Sequence, residues 1–462
     1  MNAAAVALAV VARYPEPGDA ADSVSAALGR LADTLDWCRP GRGPLGGVIA
    51  PGARVLVKPN FVLHRNEGTG GMEPMVTHAS LVRAAVAAAL AAGAGEVTVG
   101  DAPLQSCAFD ALLAATGLDL WAAGLAAREP RFRGIRDFRR TTCTVALGVR
   151  HAAEELQPEQ RFVAFDLGTD SLLEPITDPR RPFRVCWYDP RPMARAHAPG
   201  RHHYLVAREV LEADVVLNLP KLKTHKKAGL TCALKNLIGI NGNKEYLPHH
   251  RMGGSGEGGD CYPGSSAVKR GLEYAADRQN LAASPAVALF WRGAALGLTR
   301  ITRLGGDRFG YEGSWSGNDT IWRTCLDLNR ILLYGRPDGG MAEGLERRVV
   351  HIADAVVAGQ GDGPLAPQPL PLGLVMGADN AVAMDWVAAH LLGYDPERLP
   401  LVRGGFARFR WPLAGFSRED VTVTGDAGSG TPAGVLARAG LPLPEAYPVG
   451  WRDAVAPSMS AA

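Results

Sequence analysis

The residues richest in possible chemistry lie in one short stretch, Leu217-Asn218-Leu219-Pro220-Lys221-Leu222-Lys223-Thr224-His225-Lys226-Lys227. Thr231 and Lys235-Asn236 follow it, so five lysines and one histidine fall between positions 221 and 235. The 462-residue chain has a formal net charge of only +2, so the positive charge is local. Crowded ammonium groups repel one another and lose hydration when buried. A basic cluster directly after an apolar run is where a fold grounds an anion. The competing reading is a solvated basic turn.

Other segments end in the same way. Reading the chain for strands gives ends at Lys58-Pro59-Asn60, at Gly100-Asp101-Ala102-Pro103, at Pro220-Lys221, at Gly361-Asp362-Gly363-Pro364 and at Asp379-Asn380, with Asp385 a little further on. Ligands of open parallel sheets bind beyond the carboxyl ends of the strands. Five polar ends of this kind predict one cleft. Lys58, Asn60, Lys221, Lys223, Lys235 and Asn236 are the candidates for holding phosphate or carboxylate groups. Asp101, Asp362 and Asp385 are metal or acid–base candidates. They either carry a divalent cation bridging the anion or neutralise the lysines. His225, whose charge changes near neutrality, is the candidate proton carrier, with Asp101 as the second catalytic candidate. His249-His250 is a weaker metal candidate.

The elements that must position these groups follow from periodicity. Residues 4–11, 54–58, 96–100, 214–219, 349–357 and 372–376 read as strands, and residues 23–35, 80–92, 318–334 and 380–392 as helices. Strand, helix and strand over residues 54–100 form a βαβ unit, which requires parallel strands. The fold class is therefore α/β: a mainly parallel sheet flanked by helices, with a partly β central insertion. The expected division is an α/β segment over 1–116, the insertion over 117–213, an α/β segment completing the main domain over 214–406, and a C-terminal appendage with a loose tail over 407–462. The glycine-rich residues 253–259 read as a lid or a disordered surface loop.

Composition removes several functions. Near-neutral charge argues against a nucleic-acid binder. No run reaches the length of a membrane span, and residues 1–11 lack a basic n-region, which makes a cytoplasmic protein without membrane partners the expectation. There is no GxxxxGK[ST] loop, no strand–GxGxxG–helix and no GxSxG elbow. The seven cysteines lie far apart, so neither a disulfide framework nor an intrinsic iron–sulfur cluster is expected.

The motifs Val57-Lys58-Pro59-Asn60, Val99-Gly100-Asp101-Ala102-Pro103, Asn218 to His225 and Lys235-Asn236-Leu237-Ile238-Gly239 resemble the domain of unknown function 362 family. Residues 317–324, 359–364 and 381–393 extend the resemblance, which spans about residues 50 to 400. It implies no specific activity. Many relatives carry a ferredoxin-like iron–sulfur module, whose cysteine pattern this chain lacks. Three functions stay open at this point. The first is an enzyme acting on a small anionic metabolite, phosphorylated or carboxylated, with a divalent metal as candidate cofactor. The second is a non-catalytic anion- or cofactor-binding protein. The third is a redox protein that works with an external iron–sulfur partner.

One outcome follows from cysteine spacing alone. Purified protein should contain no stoichiometric iron–sulfur cluster. Iron and acid-labile sulfide in near-integer ratio to the chain would overturn this.

Overall fold

A computed structural model describes residues 4–16, 22–146, 149–150, 154–185, 188–307 and 309–456. In chain order the elements used below are β1 (Ala5–Val10), α1 (Ser23–Thr34), β2 (Arg54–Pro59), α2 (Ala79–Ala91), β3 (Glu96–Asp101), β4 (Phe132–Asp137), β5 (Phe162–Asp166), β6 (Arg201–Ala207), β7 (Val215–Leu219), β8 (Lys221–His225), β9 (Gly229–Thr231), α3 (Ala267–Asn280), α4 (Pro285–Leu304), α5 (Ile321–Tyr334), β10 (Arg348–Asp362), β11 (Ala366–Leu370), β12 (Leu374–Ala378), α6 (Ala381–Leu391) and β13 (Thr422–Gly425).

Eight of these strands run side by side in the order β13-β1-β12-β10-β7-β2-β3-β4, and β8, β9 and β11 extend the same sheet off that path. The strands from β10 through β7, β2 and β3 to β4 are mutually parallel. The β12 strand is antiparallel to both β10 and β1, and β13 pairs parallel with β1. The α/β class with a mainly parallel sheet is thus the observed architecture. Both faces of the sheet are covered, which is why β7 reads as the nearly continuous apolar run Val-Val-Leu-Asn-Leu and is buried throughout.

Local chemistry sets the helix starts. The Asp22 carboxylate accepts the Val24 and Ser25 amides at the head of α1. Asn380 does the same for Val382 and Ala383 at α6. Asn318 accepts from Thr320 and Ile321 at the start of α5.

Two boundaries differ from the sequence reading. The β4 strand lies within 117–213 yet pairs with β3, so the main sheet runs on to Asp137 before the insertion begins. The insertion holds a three-stranded antiparallel sheet that includes β5 and β6, and its Phe183–Arg184 pairs with His250–Arg251 beyond residue 213. Nor are residues 407–456 an appendage. The β13 strand forms a sheet edge, and Trp451 is buried in the core beside Leu230 and Leu399. The expected loose tail after Asp453 is packed through Ala454 and Val455; residues 457–462 lie outside the described residues. Among the described residues no single helix is long and apolar enough to cross a membrane.

The strand order reverses between β7 and β2. The chain moves outward from β2 to β3 and β4, then returns to lay β7 on the other side of β2. A crevice must open beyond the carboxyl ends at such a switch point.

Candidate functional site

A cavity of about 990 Å³ lies at that switch point. Its walls come from the segments that leave β2, β3 and β8, from the Lys235 to Gly239 turn and from the loop that carries Lys244 and His249. Of the residues expected at the site, Asn60, Asp101, Lys223, His225, Lys235 and Asn236 line this cavity, whereas Lys58, Lys221, Asp362 and Asp385 do not.

Each exclusion has a physical reason. Lys58 is fully buried beneath the wall. Its ammonium donates to Asp101 Oδ1 at 2.8 Å, to the Pro59 carbonyl at 3.0 Å and to Asn236 Oδ1 at 3.3 Å, leaving no donor for a ligand. Asp101 is equally committed. It accepts from Lys58 and the Ala102 amide through one oxygen, and from the Phe61 amide at 2.7 Å through the other. Burial drives the Lys58 ammonium down and the Asp101 carboxyl up, and the direct contact opposes both shifts. The pair joins the segments leaving β2 and β3, so Asp101 is a structural carboxylate rather than an open base. Gly239 permits this arrangement, because a Cβ there would stand 1.9 Å from Asp101 Oδ1.

Asp385 is wholly buried on α6 and accepts the Ala233 and Leu234 amides at 2.7 and 3.2 Å. Burial pushes its carboxyl up to about 7. It caps the short Ala233–Asn236 helix from below and does not reach the cavity. Asp362 is exposed at the end of β10. The three aspartates therefore form no common metal site.

Lys221 belongs to a second buried network. Its ammonium lies 2.7 Å from Asp354 Oδ2 and donates at 2.7 Å to the Tyr14 hydroxyl. The Tyr14 hydroxyl donates to Asp354 Oδ1 at 2.7 Å, and the Tyr14 ring stacks on His78 at 3.7 Å. Lys221 thus ties the segment after β1 to the centre of β10.

Lys223 faces the cavity. It donates to Asn60 Oδ1 at 2.6 Å and to the Met75 carbonyl, with no carboxylate among its hydrogen-bond partners. Burial drives its ammonium well below the usual range, and Lys221 and Lys235 add to the shift. Lys235 has no hydrogen-bond acceptor or ion-pair partner among the described residues, and burial lowers it as well.

Sequence reading missed Lys244 and offered His249 only as a weak metal candidate beside His250. Lys244 donates to the Ile238 and Asn241 carbonyls, and burial brings it down to about 7. The rings of His225 and His249 present opposite chemistry. His225 Nδ1 accepts the Lys227 and Ala228 amides, so the proton of the neutral ring sits on Nε2. His249 Nδ1 lies 2.6 Å from the Leu247 carbonyl and must donate to it, which leaves Nε2 as a bare lone pair. Burial and the surrounding lysines hold both rings well below the usual imidazole range, and hence neutral. The buried Thr231 Oγ1 and Gln105 Oε1, also in the lining, have no hydrogen-bond partner among the described residues. The only sequence signal for Lys244 was the turn-forming Asn241-Gly242-Asn243 before it.

This partition gives the two lysines of β8 different fates on replacement by methionine. Read as a pair at one anion site, Lys221 and Lys223 would both be replaceable without loss of folding. The networks above instead predict that K221M strands the Asp354 carboxylate and costs about 3–5 kcal/mol of stability. K223M leaves no unpaired charge and should cost no more than about 1–2 kcal/mol. Urea unfolding of the two variants beside the parent measures the difference; equal losses would refute it.

Comparison with known proteins agrees with this inventory of motifs. The chain is 22% identical over 380 residues to the thylakoid-associated protein sll1697 of Synechocystis sp., covering 82% of this chain and 73% of that protein. A crystal structure of a Thermotoga maritima protein overlays with a TM-score of 0.34 at 11% identity, covering 80% of this chain and 58% of the other. An overlay that loose carries no information about chemistry. The model of the domain of unknown function DUF362 matches residues 55–154 and 180–390, more than half of the chain, and the protein belongs to that family.

Proposed function

We propose that the protein is an enzyme that performs acid–base chemistry on a small anionic metabolite, phosphorylated or carboxylated, bound in the switch-point cavity. The observation that carries this reading is Lys235. A cationic side chain half-buried in a cavity wall, without an acceptor among the described residues, is a ready partner for a ligand that supplies the negative charge. Lys223 and Lys244 flank the same space and add two amino groups that a bound anion would favour in their cationic form. The unpartnered Thr231 and Gln105 oxygens would accept hydrogen bonds from hydroxyl or amide groups of the ligand. A volume of about 990 Å³ is ample for a small metabolite and the waters around it.

The two histidines supply the chemistry. Because both are neutral with opposite tautomers, His249 Nε2 presents a lone pair and His225 Nε2 an N–H; an anion that offsets the neighbouring lysines would raise the His249 ring so that it takes up a proton. An anionic group grounded on Lys235 would be held beside both. Lysines near the group that gains negative charge would stabilise it.

Lys244 gives the reading a pH signature. Its amine titrates at about 7, far below the ordinary lysine value, so it is cationic below neutrality and neutral above. Anion affinity should therefore fall as pH rises through about 7, and K244M should flatten that dependence. The linked effect on stability has the opposite sign. Between about 7 and the ordinary lysine value the unfolded chain holds the extra proton, so this group makes stability rise with pH in that window.

The test is native mass spectrometry of freshly purified protein, followed by calorimetric titration with inorganic pyrophosphate and a dicarboxylate at pH 6 and pH 8. One of these anions should bind, more tightly at the lower pH, and K235M should lose about 2–5 kcal/mol of affinity while remaining folded. Failure of the parent protein to bind either anion and to retain any anionic metabolite would refute the reading, as would binding unchanged in K235M.

A further inference from the structure

Outside the cavity, three buried side chains with metal-ligating atoms meet at one point. They are His250, Cys261 and Glu273, and one ligand atom from each lies within 4.8 Å of the other two. All three are nearly inaccessible, at 2%, 0% and 7% exposure. They come from separate places in the chain. His250 follows the cavity residue His249, Cys261 closes the glycine-rich loop, and Glu273 projects from α3. That loop is folded tightly on itself rather than disordered. A Cβ at Gly254 would lie 2.1 Å from the Gly264 carbonyl, and one at Gly259 2.1 Å from the Gly253 carbonyl, so the glycines allow the backbone to fold tightly on itself.

We propose that His250, Cys261 and Glu273 form a structural site for a zinc-like divalent cation. Two observations beyond proximity point to a cation. Glu273 is a buried carboxylate with no lysine or arginine ion pair among the described residues; one oxygen accepts the Gly253 amide at 2.9 Å. Buried carboxylates of this kind are balanced by a positive charge or by a metal. In addition, the single proton of the Cys261 thiol faces two acceptors, the Tyr311 carbonyl and the Glu273 carboxylate. A divalent ion replacing that proton would be neutral overall with a thiolate and a carboxylate, and the neutral imidazole completes the protein donors.

The donor set selects the ion. Sulfur, nitrogen and oxygen together suit zinc and its borderline neighbours, whereas magnesium and calcium take oxygen alone. Zinc bonds of about 2.0–2.3 Å require only a modest contraction of the three atoms. Binding releases the thiol proton as the Zn–S bond forms, with no change of oxidation state. The site would fasten the loop to α3 and so fix the chain on which His249 reaches the cavity. It is independent of the proposed function, because none of its ligands lines the cavity.

The test uses the full chain, purified from zinc-supplemented medium, dialysed and analysed for metal by mass spectrometry. About one zinc per chain is expected, with a higher melting temperature than in chelator-treated protein. Replacement by cobalt(II) should give tetrahedral d–d bands and a thiolate-to-cobalt charge-transfer band. C261A should abolish that band. E273Q, which keeps the Gly253 hydrogen bond should C261A not fold, should weaken zinc binding by about tenfold or more. K235M should retain the metal while losing anion affinity, which separates this site from the cavity. Absence of the charge-transfer band in the parent protein, its persistence in folded C261A, or zinc affinity unchanged in E273Q would overturn the proposal.

Discussion

The centre of this molecule is arranged around the cost of burying ammonium groups. Lys58, Lys221 and Lys223 are fully inaccessible, and Lys244 is nearly so. Each is surrounded by oxygen atoms that replace lost water: three for Lys58, three for Lys221, two each for Lys223 and Lys244. A buried ion pair gains little over a well-packed apolar pair, but removing one partner is expensive. The neighbouring backbone is consequently locked. The ends of β2, β3 and β8, the segment after β1 and the turn at Gly239 all converge on these nitrogens. A row of polar side chains links them. His351 meets Asn218 at 3.0 Å, Asn218 accepts from Asn236 at 2.7 Å, and Asn236 accepts from Lys58. Against this background Lys235, half-buried in the cavity wall, differs in having no acceptor among the described residues.

The different roles of Lys221 and Lys223 rest on an irregularity in pairing. In a regular strand these residues, two apart, would share a face. Here Lys221 is opposite Asp354 on β10 but Lys223 is opposite Gly359, a shift of register between the two. An extra stretch of backbone on one strand of a pair re-aims the side chains beside it. The bulge sends Lys221 toward Tyr14 and Asp354 and leaves Lys223 to the cavity. Gly359 is needed at the crossing, since a Cβ there would lie 2.7 Å from that of Lys223.

Much of the frame was legible because it follows from local rules. Apolar runs gave β1, β2, β3 and β7 nearly to the residue, and Asn318 and Asn380 marked two helix starts. The C-terminal half of β10 was hidden by its own composition: Gly359, Gly361 and Asp362 look like a turn in sequence, yet they continue a strand that pairs with β11. Edge strands β4 and β13 escaped because an edge carries a weaker apolar pattern than a strand buried on both faces. Four of the five polar strand ends reach the crevice, that at 361–364 only through Pro364, whereas Asp379–Asn380 lies at the opposite edge of the sheet because β12 runs antiparallel to β10; six of the ten candidate residues line the cavity. What sequence could not give was the internal pairing. Lys58 and Asp101 are 43 positions apart, and Lys221 and Asp354 are 133 apart, so nothing local distinguishes a lysine held by a carboxylate from one that awaits a ligand.

The cavity wall formed by residues 241–250 has a different support from the rest. The other walls hang from strand ends fixed by the sheet, whereas Lys244 and His249 sit on a loop with only short turns of its own. Its order comes from contacts at either side. Asn241 pairs with β6 and accepts the Leu205 amide at 2.8 Å, and Asn318 donates to the His249 carbonyl at 2.8 Å from the head of α5. Thr324 on α5 donates to the Pro248 carbonyl at 2.9 Å, and Asp260 binds the Arg251 amide, the Asp319 amide and the Thr320 hydroxyl. These anchors come from the insertion and from a helix that the sequence places some seventy residues later. His249 and Lys244 are therefore held by packing between the two parts of the chain, the insertion on one side and the head of α5 on the other.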